Sequence, residues 1–174
     1  LVVAAGAAGY AGLATVNETM EATLASASAL RQNGLVDMLH EGLRGDVANA
    51  LVAAEAEGAD EKQKVVAEAA EHAAVMRKAM AATEVAARSR EARERLAAAR
   101  PAVERYVDLS VQLVGLALSD RKAALMRHGE HGRAFSVLET DLSRISDVLE
   151  KDAAEAQQRG TAALGAARAT ILGV

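Results

Sequence analysis

The chain has no cysteine and no tryptophan, and its 174 residues include one proline, one phenylalanine and two tyrosines. Without cysteine there can be no disulfide, thiolate metal site or cysteine nucleophile, and the absence fits an oxidising or a reducing compartment equally well. The near-absence of proline leaves helix interiors free of the residue that removes a backbone donor and clashes with the preceding turn. Aromatics make up 2% of a chain that is 51% hydrophobic, so its apolar content is aliphatic, with alanine the largest component. Alanine is the best helix former and fills little volume, which favours narrow helix-on-helix seams over one thick core. A net charge of -4 gives no electrostatic footprint for nucleic acid, which would need a basic surface or stripe. Composition therefore predicts an all-α protein with long helices and no nucleic-acid partner.

Both ends are apolar. Residues 1–14, LVVAAGAAGYAGLA, carry no charge, and the first strongly polar residues are Asn17 and Glu18. That run is shorter than the roughly 20 residues of a membrane span and reads as the end of one. After Arg168 the chain is again uncharged, and residues 169–174 read as the approach to a second span. Apolar helix termini are the alternative, because short apolar runs are ambiguous.

Between the ends the apolar residues recur at helical spacing. Leu13, Val16, Met20, Leu24 and Ala27, then Val36, Leu39, Leu43, Val47, Ala50 and Ala54, predict a very long first helix. EAEGADE (residues 55–61) has the composition of a turn, with Asp60 a suitable N-cap. A second helix carries a 4-3-4-3 seam at Val65, Ala69, His72, Met76, Ala79 and Thr83. Ser89 can cap a third helix that continues, bent, through Pro101, with Val103, Val107, Ser110, Val114, Ala117 and Arg121 in one row and Tyr106 beside it. His128-Gly129-Glu130-His131-Gly132, with two glycines three apart, predicts the next turn. Phe135, Leu138, Leu142, Ile145, Leu149 and Ala156 then predict a fourth helix. Short turns make four helices run up, down, up, down, which brings both apolar ends to one pole. The expected architecture is one domain, residues 1–174: an elongated antiparallel four-helix bundle whose outer helices are each about 60 Å long.

The densest chemistry lies in DMLHEGLRGDV, residues 37–47. Beside the apolar seam runs a polar row, Asn33, Asp37, His40 and Arg44, spaced 4-3-4. It is either a solvated face or the wall of a polar pocket, and Gly42 and Gly45 would let another backbone approach. Catalysis and cofactors find no foothold. There is no nucleophile with an ordered base, no phosphate-cradling glycine loop and no Glu-x-x-His pair repeated on two helices. His128, Glu130 and His131 make a poor metal site, lacking a fourth ligand nearby. Arg88, Arg90, Arg93, Arg95 and Arg100 could meet lipid headgroups or form a solvated face interleaved with Glu91 and Glu94.

MLHEGLRGDVANAL (residues 38–51), and more loosely the Glu71-His72 and Arg100-Pro101-Ala102 stretches, resemble the periplasmic four-helix-bundle ligand-binding domain of methyl-accepting chemotaxis proteins. The resemblance implies a chemoreceptor in the inner membrane, with this domain periplasmic, homodimeric through its first helix, and binding a small carboxylate or amino acid near the membrane-distal end. It points most directly to Arg44, with His40 and Asp37 on the same row. Counting residues from the expected turns puts His72, Arg77, Gly115, Ser119, Asp141 and Arg144 at a similar height. Arg44, Arg77 and Arg144 would offer planar donor forks to a carboxylate. His72 on an inward seam is first a core histidine bonded across helices, and Tyr106 is first a packing residue; both join the candidate site second. The same domain also suits the input of a sensor histidine kinase or cyclase, and a ligand-free structural coiled coil is the reading from a different class.

Overall fold

The computed structural model describes residues 2–172, with side chains described for residues 12–170. Within that range the chain has four helices and no strand: α1 (Val2–Ala53), α2 (Ala59–Ala86), α3 (Arg90–Ser119) and α4 (Arg121–Leu172). α1 and α4 have 52 residues each, and α2 and α3 have 28 and 30. Most of the apolar run 1–14 and the end of segment 169–174 lie outside the described side chains. Among the described residues no helix is long and apolar enough to cross a membrane.

The first turn falls where composition places it. α1 unwinds through Ala54–Gly58, its last carbonyls taken up by Ala54 N–H to Ala50 O at 2.9 Å and Ala56 N–H to Ala53 O at 3.0 Å. The residue at the N-cap of α2 is Gly58, which has no side-chain cap, while Asp60 and Glu61 stand in the first turn. Asp60 is thus not the cap; its charge instead complements the positive end of the helix dipole. Ser89 caps α3 as expected, its hydroxyl accepting from Ala92 N–H at 3.1 Å. The helix then runs unbroken through Pro101.

The third junction departs from expectation. Residues 128–132 are helical, and α3 passes to α4 through a single residue, Asp120. Asp120 closes α3 by donating its N–H to Leu116 O at 2.7 Å and opens α4 by accepting from Ala123 N–H at 3.0 Å. Arg121 also donates to Leu51 O at 3.0 Å, satisfying a carbonyl near the end of α1. Gly129 and Gly132 sit inside α4 without positive φ. A helical glycine costs only about 1 kcal/mol, and burial of Ala124, His131 and Phe135 on one side of that segment offsets it.

Contacts between α1 and α4 descend α4 as they climb α1: Gly12 faces Ala167, Thr23 faces Gly160, Asn33 bonds Ser146, His40 bonds Phe135 O, and Leu51 O bonds Arg121. Buried apolar side chains fall into two clusters. The larger holds Val36, Leu39, Leu43, Met76, Leu96, Val103, Leu138, Leu142, Ile145 and Leu149. The smaller, beside the 54–58 turn and the Asp120 junction, holds Val47, Ala50, Val65, Leu113 and Val114. The expected rows of α3 and α4 are buried, except that Arg121 begins α4 and is exposed. Two rows need correction. In the first half of α1, Leu13, Met20 and Leu24 face outward at 70%, 55% and 64% exposure, and Ser26, Ala29 and Asn33 are the inward positions. In α2 the inward residue is Ala73, which turns His72 to the rim.

Candidate functional site

Polar and aromatic side chains gather where the two apolar clusters meet. Tyr106, the largest buried side chain among the described residues, donates its hydroxyl to His40 O at 2.7 Å. The His40 ring stacks on Phe135 at 4.0 Å between centroids and meets Tyr106 edge-on at 4.9 Å. On its other side Tyr106 stacks against His131 at 5.1 Å. One aromatic column, Phe135, His40, Tyr106 and His131, thus joins α1, α3 and α4. Its planes meet in the stacked and edge-on arrangements that ring quadrupoles favour.

Hydrogen bonds fix the protonation of this column. His40 Nε2 lies 3.1 Å from Phe135 O, an acceptor only, so Nε2 carries the proton. Ser110 Oγ gives its one hydrogen to Tyr106 O at 2.8 Å, which leaves His131 Nε2–H to donate to Ser110 Oγ at 2.9 Å. Burial disfavours a charge on either ring. It lowers the His40 pKa, and it brings His131 down to about 4, with the nearby charges of His128, His40 and Arg44 acting in the same direction. Burial also holds the Tyr106 phenol above its ordinary range. The column is a neutral donor–acceptor network inside the bundle.

The column gathers three of the residues singled out from the sequence: His40, Tyr106 and Arg44. The Arg44 guanidinium lies 4.5 Å over the Phe135 ring and 2.6 Å from Glu41. The polar row is therefore neither wholly a solvated face nor wholly a pocket wall. Asn33 and His40 are buried, while Asp37 and Arg44 are exposed. His72 Nδ1 is 2.7 Å from Asp46 Oδ2, a bond across helices made at the rim rather than in the core. Gly42 lies beside this pair, and a Cβ on it would meet the His72 ring in ordinary contact at 3.7 Å. Arg77 points away to bind Glu104 and Asp108 at 2.8 and 2.6 Å, contacts that raise its pKa. Arg144 pairs with Asp141 at 3.6 Å beside Arg95, well below the column.

The displaced turn explains the misplaced layer. Moving the α3–α4 junction from 128–132 to Asp120 shifts every height on α4 by about ten residues, roughly 15 Å. His131 and Phe135 therefore occupy the layer expected for Asp141 and Arg144, and Tyr106 and Ser110 the one expected for Gly115 and Ser119. His131, Ser110 and Asp46 were not among the expected site residues. His131 was findable by stepping the seam Phe135, Leu138, Leu142 back by four. Among the described residues no group of three or more His, Asp or Glu side chains could hold a metal ion. The arginine stretch is largely paired: Arg90 with Glu94, Arg95 with Glu91 and Arg100 with Glu84. Comparison with protein families, with curated proteins and with solved structures finds no match to this chain.

Proposed function

We propose that this domain is the ligand-sensing input of a membrane-spanning receptor of the chemoreceptor class, folded as an antiparallel up-down-up-down bundle. In this reading residues 1–14 and 169–174 belong to flanking spans, the domain lies outside the inner membrane, and it performs no catalysis. The carrying observation is the pairing of α1 with α4 from Gly12 against Ala167 to Leu51 against Arg121. The two helices that bear the apolar ends are thus side by side, so an axial shift of one against the other moves one end relative to its neighbour. Few polar bonds oppose such a shift. Asn33 to Ser146, His40 to Phe135 O and Arg121 to Leu51 O cross this contact, His40 and Arg44 also lie against the Phe135 ring, and much of the rest is aliphatic packing. An interface with two closely spaced packings is what a displacement switch needs.

The same reading pairs two copies through α1. Met20, Leu24, Gly34, Met38, Gly45 and Val52 fall on one 4-3 row, and all are exposed. A Cβ on Gly34 or Gly45 would meet nothing within 4 Å, so both present bare backbone outward. Ala27 and Ala48 share the row with two charged residues, Arg31 and Glu41, and its 3.5-residue spacing on the outside of the helix is that of a coiled-coil seam.

A thermal-stability screen of the purified domain against organic acids and amino acids tests the reading. A ligand at about 100 times its Kd adds about 2.7 kcal/mol, a shift of several degrees. A library that leaves the transition unmoved would favour a ligand-free structural bundle instead.

A further inference from the structure

The face between α3 and α4 carries a cleft of ≈ 160 Å³ lined by Ala102, Arg105, Glu130, Arg133, Ala134 and Val137. Its floor is apolar and shallow-sided because alanines stand on both helices, and Val137 adds an apolar side chain that is 57% exposed. Its rim is cationic. Glu130 is already held by Arg127, with contacts of 3.1 and 3.2 Å to one carboxylate oxygen. Arg105 reaches the other oxygen only at 3.9 Å, beyond hydrogen-bonding distance. Arg133 makes no ion pair among the described residues; its guanidinium lies back toward Gly129, where a Cβ would come 3.7 Å from Nη1. Two guanidinium groups thus flank one carboxylate and a third, Arg133, stands on the same rim, so Arg105 and Arg133 have donors to spare. Arginine forks match a carboxylate in shape, and a cavity near 150 Å³ holds about one six-carbon ring.

We propose that this cleft binds a small monocarboxylate with a compact apolar body, aromatic or branched aliphatic, its carboxylate held by Arg105 and Arg133 and its body on Ala102, Ala134 and Val137. The choice of ligand class rests on the sensing reading above; the place does not, since it lies on α3 and α4, away from the exposed row of α1. Glu130 is the built-in competitor, because it occupies the rim with the same charge as the ligand. A neutral amide of the same shape loses the charge-assisted bonds and binds poorly.

The test is titration of the 174-residue chain with benzoate and 3-methylbutanoate, with benzamide and acetate as controls, followed by amide chemical shifts. The expected result is saturable binding of the two carboxylates, with shifts concentrated at residues 102–105 and 130–137, and little binding of either control. Arg105→Gln and Arg133→Gln each weaken binding by roughly tenfold, and Glu130→Gln tightens it. All three positions are at the surface, and circular dichroism confirms that the variants fold. Absence of saturable binding overturns the proposal, as does benzamide binding as well as benzoate. Binding that survives both arginine substitutions overturns this site while leaving the sensing reading intact. That reading fails separately, if no compound of the wider screen stabilises the domain.

Discussion

Acid should weaken this bundle through His131 in particular. Burial takes the His131 pKa from 6.5 in an unfolded chain to about 4. Between those values the folded protein binds fewer protons than the unfolded chain, so stability rises with pH through the window and is lost as the pH falls from about 6.5 to about 4. A shift of this size corresponds to about 3 kcal/mol, a large part of a typical domain's total stability. The groups that face the ring are Ser110 and Tyr106 on α3, Arg44 and His40 on α1 and His128 on α4. None is a carboxylate that would compensate an imidazolium. His40, also lowered by burial, adds to the loss in the same direction. The variant His131→Phe keeps an aromatic ring against Tyr106 and leaves the Ser110 bond to Tyr106 O in place, while removing the proton site. Urea unfolding followed by circular dichroism, at several pH values between about 7 and about 4, reads the effect. Carboxylate contributions occur in both proteins and cancel in the comparison. The wild-type loss should exceed that of the variant by about 2–3 kcal/mol. Parallel pH profiles for the two proteins would refute the assignment of a buried, neutral His131.

Other consequences follow from single contacts. Asp120→Ala removes the cap from α4 and should cost about 1 kcal/mol in unfolding free energy, with faster amide exchange over the first turn of α4; unchanged exchange there would count against the capping role. Tyr106→Phe deletes the hydroxyl bonded to His40 O and should cost about 1 kcal/mol without changing the urea slope, a smaller loss than the 3–5 kcal/mol of Tyr106→Ala, which also empties the centre of the column. Met38→Glu places a charge on the exposed row of α1 and should shift a dimer to monomer in sedimentation velocity while leaving the helix content intact. A sedimentation coefficient that does not respond to Met38→Glu would remove α1 as the pairing face.

Most of the helical layout was legible because long periodic segments carry their own signal. The rows Val103 to Ala117 and Phe135 to Ala156 were readable as inward faces from spacing alone, and the Ser89 cap from its place before a helix-forming run. The failures have a common physical origin. Local propensity made Gly129 and Gly132 look like a turn, whereas the packing of Ala124, His131 and Phe135 outweighs two glycines within one helix. The true junction was carried by one aspartate, a residue equally at home on any helix surface. In α1, alanines and exposed methionines and leucines offered two helical rows of similar strength, and the pattern alone does not say which one meets the bundle. The site suffered most, because heights on α4 are counted from the junction. An error of ten residues there traded His131 and Phe135 for Asp141 and Arg144.

The one-residue link at Asp120 also sets how force can travel. α3 and α4 are joined by a link too short to stretch, so the two ends that meet at Asp120 cannot be drawn apart along the helix axes. α1 and α2 are joined by the longer 54–58 segment and have slack. A pull along α4 therefore drags α3 with it and shears the pair against α1. Anything wedged between α3 and α4 would therefore spread the pair sideways rather than slide one helix past the other.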